Sequence, residues 1–108
     1  MANTFKNAGV AVGTTATTLY TCPASTDGII HALYISNIDG TNSADVDVEV
    51  SVDGGSTFYY VGKTLPVPAD STLILDKPIN LEASDVIRLT ANATGDLQAF
   101  ASVLEITA

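Results

Sequence analysis

From Ala44 to Val52 the chain alternates strictly, with Val46, Val48, Val50 and Val52 set against Asp45, Asp47, Glu49 and Ser51. Side chains along a strand point to opposite faces in turn, so a β-strand gathers all four valines on one face and the acids on the other. The run stops at Asp53-Gly54-Gly55-Ser56, a turn cluster whose glycines permit positive φ. Thr57 to Val61 then resumes with β-branched and aromatic residues. The spacing predicts a hairpin with a loop of about four residues.

The same alphabet recurs along the chain. Gly28–Asn37, Ser71–Asp76, Val86–Ala93 and Leu97–Thr107 read as strands, and Gly9–Val12 and Thr17–Cys22 as weaker ones rich in Ala, Gly and Thr. The four prolines, Pro23, Pro66, Pro68 and Pro78, fall between or at the margins of these segments, as residues without a ladder donor should. Pro66-Val67-Pro68 is expected to be an extended edge or connection, and Leu81–Asp85 is the one stretch compatible with a single helical turn. The predicted fold is therefore all-β: a single antiparallel β-sandwich or jelly-roll-like domain of about eight short strands. Its expected core draws on the valines of 46–52, Ile29, Tyr34, Ile35, Leu73, Leu75, Leu89, Phe100, Val103 and Leu104. Residues 1–18 form an N-terminal segment, either an arm or the first strand, and residues 19–108 the sandwich.

Composition narrows the function classes. The 108 residues carry twelve Asp and Glu against four Lys and Arg, a net charge of -8. Lys6, Lys63, Lys77 and Arg88 are scattered singly, whereas gripping a phosphate backbone requires clustered cations that release counterions. Nucleic acid is therefore not an expected partner, nor is an anionic membrane surface. A mean hydropathy of +0.31 argues against disorder. No apolar run approaches the length of a membrane-spanning helix. Met-Ala-Asn-Thr-Phe-Lys-Asn has no basic region leading into an apolar core, so no secretory signal is expected. With Cys22 as the one cysteine, synthesis in a reducing cytoplasm fits, and the sequon Asn92-Ala93-Thr94 carries no expected modification.

Candidate chemistry is sparse. Nucleophilic catalysis would rest on Cys22 and His31 with Asp27 between them, but no glycine elbow surrounds Cys22 and Pro23 follows it directly. One thiol and one imidazole are too few for a transition-metal site. Asp39, Asn42, Asp45 and Asp47 offer hard oxygens to calcium, yet their spacing is not that of an EF-hand and no Glu closes the loop. Turn chemistry and a solvated strand face account for them. Asp53-Gly54-Gly55-Ser56 leads into a strand and so is no phosphate loop. Tyr59 and Tyr60 offer a stacking surface for a sugar or base, but neighbours on a strand face opposite ways, so one is expected in the core and the other exposed. No catalytic, cofactor-binding or metal-binding residue is expected, and no enzyme.

The order of segments carries a resemblance. Leu19-Tyr20-Thr21-Cys22-Pro23-Ala24-Ser25-Thr26, Ile35-Ser36-Asn37, Leu65-Pro66-Val67-Pro68-Ala69-Asp70-Ser71-Thr72-Leu73, Ile79-Asn80-Leu81-Glu82-Ala83-Ser84-Asp85-Val86-Ile87 and Ala101-Ser102-Val103-Leu104-Glu105-Ile106 together resemble the small β-sandwich virion proteins of tailed bacteriophages. These include capsid decoration (cement) proteins and neck or tail accessory proteins. The likeness runs from Leu19 onward. Relatives often place Gly where this chain has Ser84, so the turn before Asp85 is the point of departure. The resemblance implies a structural role in a phage particle, made in the host cytoplasm. Its implied partners are other virion proteins, the major capsid protein first, together with self-association, for example as a homotrimer. Among these roles a decoration protein outside the head shell leads, with a neck, tail or fibre-base component next. A calcium-dependent carbohydrate-binding module is the alternative from another class.

Overall fold

The turn at residues 52–57 is the tip of one long hairpin that organises the whole chain. The structure, a computed structural model, describes residues 2–107; Met1 and Ala108, which end the two expected segments, lie outside it. Nine strands follow in order: β1 (Ala2–Val12), β2 (Thr17–Thr21), β3 (Thr26–Asn37), β4 (Ala44–Ser51), β5 (Phe58–Val67), β6 (Thr72–Leu75), β7 (Ile79–Leu81), β8 (Val86–Ala91) and β9 (Leu97–Thr107). Around the tip β4 pairs with β5, β3 with β6 and then β7, β2 with β8, and β1 with β9, all antiparallel. Rolling this double ribbon adds two pairings, β3 with β9 and β4 with β8. The result is two sheets, β1-β9-β3-β6 with β7 also on β3, and β2-β8-β4-β5. With β6 and β7 counted as two halves of one strand, this is the eight-stranded jelly roll.

Val46, Val48, Ile87 and Leu89 of one sheet face Ile30, Leu33, Ile35, Leu97, Ala99, Ala101 and Val103 of the other, all buried. Val50 packs at the margin of this core, while Val52, past the strand end, is exposed. The tip loop is six residues long, not about four, because it folds back over the outer side of its own sheet. There Ser51 Oγ donates to Asp53 Oδ1 (2.7 Å) and accepts from Gly55 N–H (2.8 Å). Gly54 and Gly55 take φ of 82° and 103°, and the loop covers Ser51 and Val86. Asp53 Oδ1 also accepts from the backbone N–H groups of Ser56 (3.1 Å) and Thr57 (2.9 Å). Donation from Thr57 N–H, then from Ser51, holds its carboxyl at about 2, below the ordinary 3.8. A depressed carboxylate adds stability above its unfolded pKa and loses it as pH falls through the folded one. Asp53→Asn is therefore expected to flatten the acid-unfolding limb between about pH 4 and 2, with Ser56 and Thr57 amide exchange rising first. An unchanged limb would show that the loop is held by its glycines.

A bulge on β3 corrects the expected core. Register against β9 shifts between Ile30 and Ala32, so His31 is an extra residue and the inward parity changes there. Ile30 and Leu33 are buried; Ile29, Tyr34, Phe100 and Leu104, expected inside, lie on the outer side. Leu73 and Leu75 pack at the core margin.

On either side of Val48 the pairing of β4 with β5 passes through a register shift. Thr64 there has φ 54° and its N–H is taken by Asp47 Oδ1 at 2.7 Å. Pro66 and Val67 continue β5 as the edge of its sheet. Leu81 belongs to β7, and the turn after it closes through Asp85 N–H to Glu82 C=O (3.0 Å) and Glu82 N–H to Asp85 Oδ2 (2.8 Å). Ser84 sits in that turn at φ 72°, where a Cβ is strained. Ser84→Gly is expected to raise stability by about 0.5–1 kcal/mol in denaturant titration; a neutral or negative result would mean that glycine's unfolded entropy offsets the relieved strain.

Candidate interaction surface

The side chains singled out in the sequence for chemistry are not brought together. Cys22 is buried, its thiol donating to Thr26 C=O at 3.3 Å, while His31 sits exposed in the β3 bulge. Burial, then the charge of Glu105, raises the thiol pKa, the opposite of an activated nucleophile. Next to it Tyr20 donates its hydroxyl across the sandwich to Glu105 Oε2 at 2.5 Å. Burial and that bond push the phenol far above its ordinary range. Gly28 makes room for this cluster: a Cβ there would stand 3.3 Å from Cys22 Sγ and 3.4 Å from Tyr20 Oη.

Two of the carboxylates considered for calcium, Asp39 and Asp47, each accept backbone N–H donors. Asp39 Oδ1 accepts from the N–H groups of Thr41 (2.7 Å) and Asn42 (3.1 Å), which lowers its pKa. Asp45 N–H donates to Asn92 Oδ1 at 2.9 Å, so the sequon side chain tethers β4. Among the described residues no group of three or more His, Cys, Asp or Glu is placed to hold a metal ion. Tyr59 and Tyr60 are both exposed, at 61% and 54%, and neither enters the core. They lie on edge strand β5, where twist carries the strand away from the opposing sheet, and Lys63 Nζ stands 5.0 Å over the Tyr60 ring.

What the fold does assemble is a difference between its two outer faces. The outer side of β2-β8-β4-β5 carries the acids: Asp45, Asp47 and Glu49, with Glu49 paired to Arg88 (3.3 Å), whose guanidinium lies 3.5 Å from the Phe58 ring centre. The outer side of β1-β9-β3-β6 is apolar. Register places Gly9, Phe100, Tyr34 and Ile74 in one row across four strands, and Phe5, Leu104 and Ile29 in a second. Phe5 is 81% exposed and Ile74 52%. Tyr34 and Phe100 rings lie 6.3 Å apart, tilted by 44°. Between and beside the rows stand the uncharged Asn7, Ser102, Ser36, Gln98 and Thr72, with Asp27 at the next outward position beyond Ile29 and His31 exposed at the bulge. Beside Phe100 the missing side chain of Gly9 leaves a depression of about 440 Å³, lined also by Val10, Ala11, Tyr34, Ser36 and Gln98. Sequence reading assigned Ile29, Tyr34, Phe100 and Leu104 to the core because outer faces are normally polar. The bulge at His31, which no turn residue marks, puts Ile29 and Tyr34 outward, while Phe100 and Leu104 face out through the unbroken alternation of β9.

No family model and no curated sequence matches this chain. Solved structures do. A chain of the disulfide-linked pili that form Bacillus endospore appendages is similar at TM-score 0.59 and 18% identity, over 98% of this chain and 87% of that one. A chain of the acid-stable capsid of Helicobacter pylori bacteriophage KHP30 is similar at TM-score 0.53 and 12% identity, over 97% and 87%. A chain of the T13 particle of infectious bursal disease virus gives TM-score 0.57 and 7% identity over 95% of this chain, which spans only 30% of that larger chain. At these identities the likeness is one of fold: this is the β-sandwich architecture of viral capsid and pilus chains.

Proposed function

We propose that this chain is a non-enzymatic structural protein of a bacteriophage particle, acting as a decoration protein on the outside of the head shell. The observation that carries the reading is a jelly roll with one acidic and one apolar outer face, matched over nearly its full length by chains that build a capsid and a pilus. The sequence resemblance to virion sandwiches points the same way. A surface with few cations belongs away from packaged DNA, and many symmetric contacts let even a small domain stabilise a lattice. The partners are then other virion proteins, with the major capsid protein first. Purified empty heads should resist heat and chaotrope better when loaded with this protein; equal resistance would reject the decoration role. Copy number in virions separates the neck, tail or fibre-base alternative, since hundreds of copies fit a shell and about a dozen a collar. Exposure of both Tyr59 and Tyr60 keeps a carbohydrate-binding module as the reading from another class, and a glycan array with and without chelator tests it.

A further inference from the structure

We infer that the outer face of the β1-β9-β3-β6 sheet is a self-docking surface, on which a second copy of this chain packs face to face about a twofold axis. Three features select that occupant. The first is charge. The chain carries -8, and two copies meeting through a densely acidic surface would repel, yet the two apolar rows across this sheet contain no Asp, Glu, Lys or Arg, with Asp27 standing at their margin beyond Ile29. The acids of β4 point the other way, so a face-to-face pair keeps them in water on its two outer sides.

The second is area. β1, β9 and β3, eleven or twelve residues long at ~3.3 Å rise, with β6 and β7 sharing the fourth place at ~4.8 Å spacing, present roughly 600–700 Å² per copy, or about 1,200–1,400 Å² per pair, at the lower end of the range of stable interfaces. The third is shape. A twofold interface must be complementary to itself, so each copy has to carry both knob and hole. Phe100 and Ile74 project from this face, and the 440 Å³ depression opened by Gly9 lies beside them on the same sheet. Exposed aromatic and branched residues in contiguous rows are the usual mark of such a patch.

Sedimentation velocity on the full chain at tens of micromolar tests this. A species of twice the 11.1 kDa monomer mass is expected. Phe100→Glu brings two carboxylates together at the twofold contact and should weaken association at least tenfold, with the far-UV circular dichroism spectrum unchanged because the residue points out of the core. If that variant misfolds, Gly9→Gln, which fills the depression from an exposed strand position, gives an independent reading. Glu49→Gln on the acidic sheet should leave the dimer intact. A wild-type monomer at that concentration, a trimer, or a dimer insensitive to both face variants would overturn the inference. The result is separable from the decoration reading: a monomer that still stabilises heads overturns only self-docking, and a dimer that does not stabilise them overturns only the decoration role.

Discussion

Replacing Ile35 by alanine is expected to destabilise the fold by about 4 kcal/mol and to lower the melting temperature by roughly 15 °C or more. Ile35 is fully buried on β3, the strand flanked on one side by β9 and on the other by β6, and its register partners are Ala99 and Leu73. Ala99 is already small and Leu73 sits at the core margin on an edge strand, so the space can be filled only in part. The loss therefore combines the transfer free energy of the deleted methyl groups with a partly relaxed cavity. A domain of this size has roughly 5–15 kcal/mol to lose, so the variant should sit close to unfolding at 37 °C. Phe100→Ala removes a larger side chain one position away from Ala99, but from the outer face, and should change stability by less than about 1 kcal/mol. Thermal melts of the two variants side by side decide the matter; similar losses would mean that the outer row is part of the core after all.

Asn37→Ala is expected to lose about 3 kcal/mol for a different reason. The side chain is 3% exposed at the end of β3. Its Nδ2 donates to Val67 C=O (2.9 Å) and Asn42 C=O (3.0 Å), and its Oδ1 accepts from Asp39 N–H (2.9 Å). One amide thus joins the end of β3, the loop that follows it and edge strand β5. Truncation leaves buried backbone groups without partners, each at about 1–3 kcal/mol, and the leucine variant should do no better because it restores volume and not bonds. Hydrogen exchange should show Asp39 and its loop opening ahead of global unfolding. A loss below about 1 kcal/mol would indicate that water replaces the amide.

Much of the strand content was readable in the residues because both period and punctuation are local. The β4 alternation, the glycines of the tip loop and the proline margins each need only a few neighbours to have their meaning. The Cys22 and His31 pair also fails locally, since no elbow surrounds the thiol. The errors concentrate on β3 and β5. At His31 one extra residue inverts the parity of the rest of β3, and a β-bulge of this kind has no required side chain, unlike a positive-φ turn. On β5 the two tyrosines were divided between core and solvent by alternation, but alternation assigns an inside only where an opposing sheet is present. At a twisted edge it is not. β7, a strand of three residues directly following Pro78, is too short to rise above its surroundings.

The sequence by itself determined an all-β domain, the hairpin whose tip is the Asp53-Gly54-Gly55-Ser56 turn, an acidic face along β4, and the absence of a cationic surface for nucleic acid. Each follows from backbone conformational limits or charge, which act at the level of single residues and near neighbours. Only the tertiary structure decided how the long hairpin rolls, which pairs β3 with β9 and β4 with β8. Those strands are far apart in the chain, and alternating Val, Ile, Leu and Ala can be satisfied in many registers. The register chosen, together with the bulge at His31, sends one set of apolar residues into the core and lines up Phe5, Ile29, Tyr34, Ile74, Phe100 and Leu104 on the outside. Hydrophobicity marks both sets alike; only their position across the sheet separates a core from a contact surface.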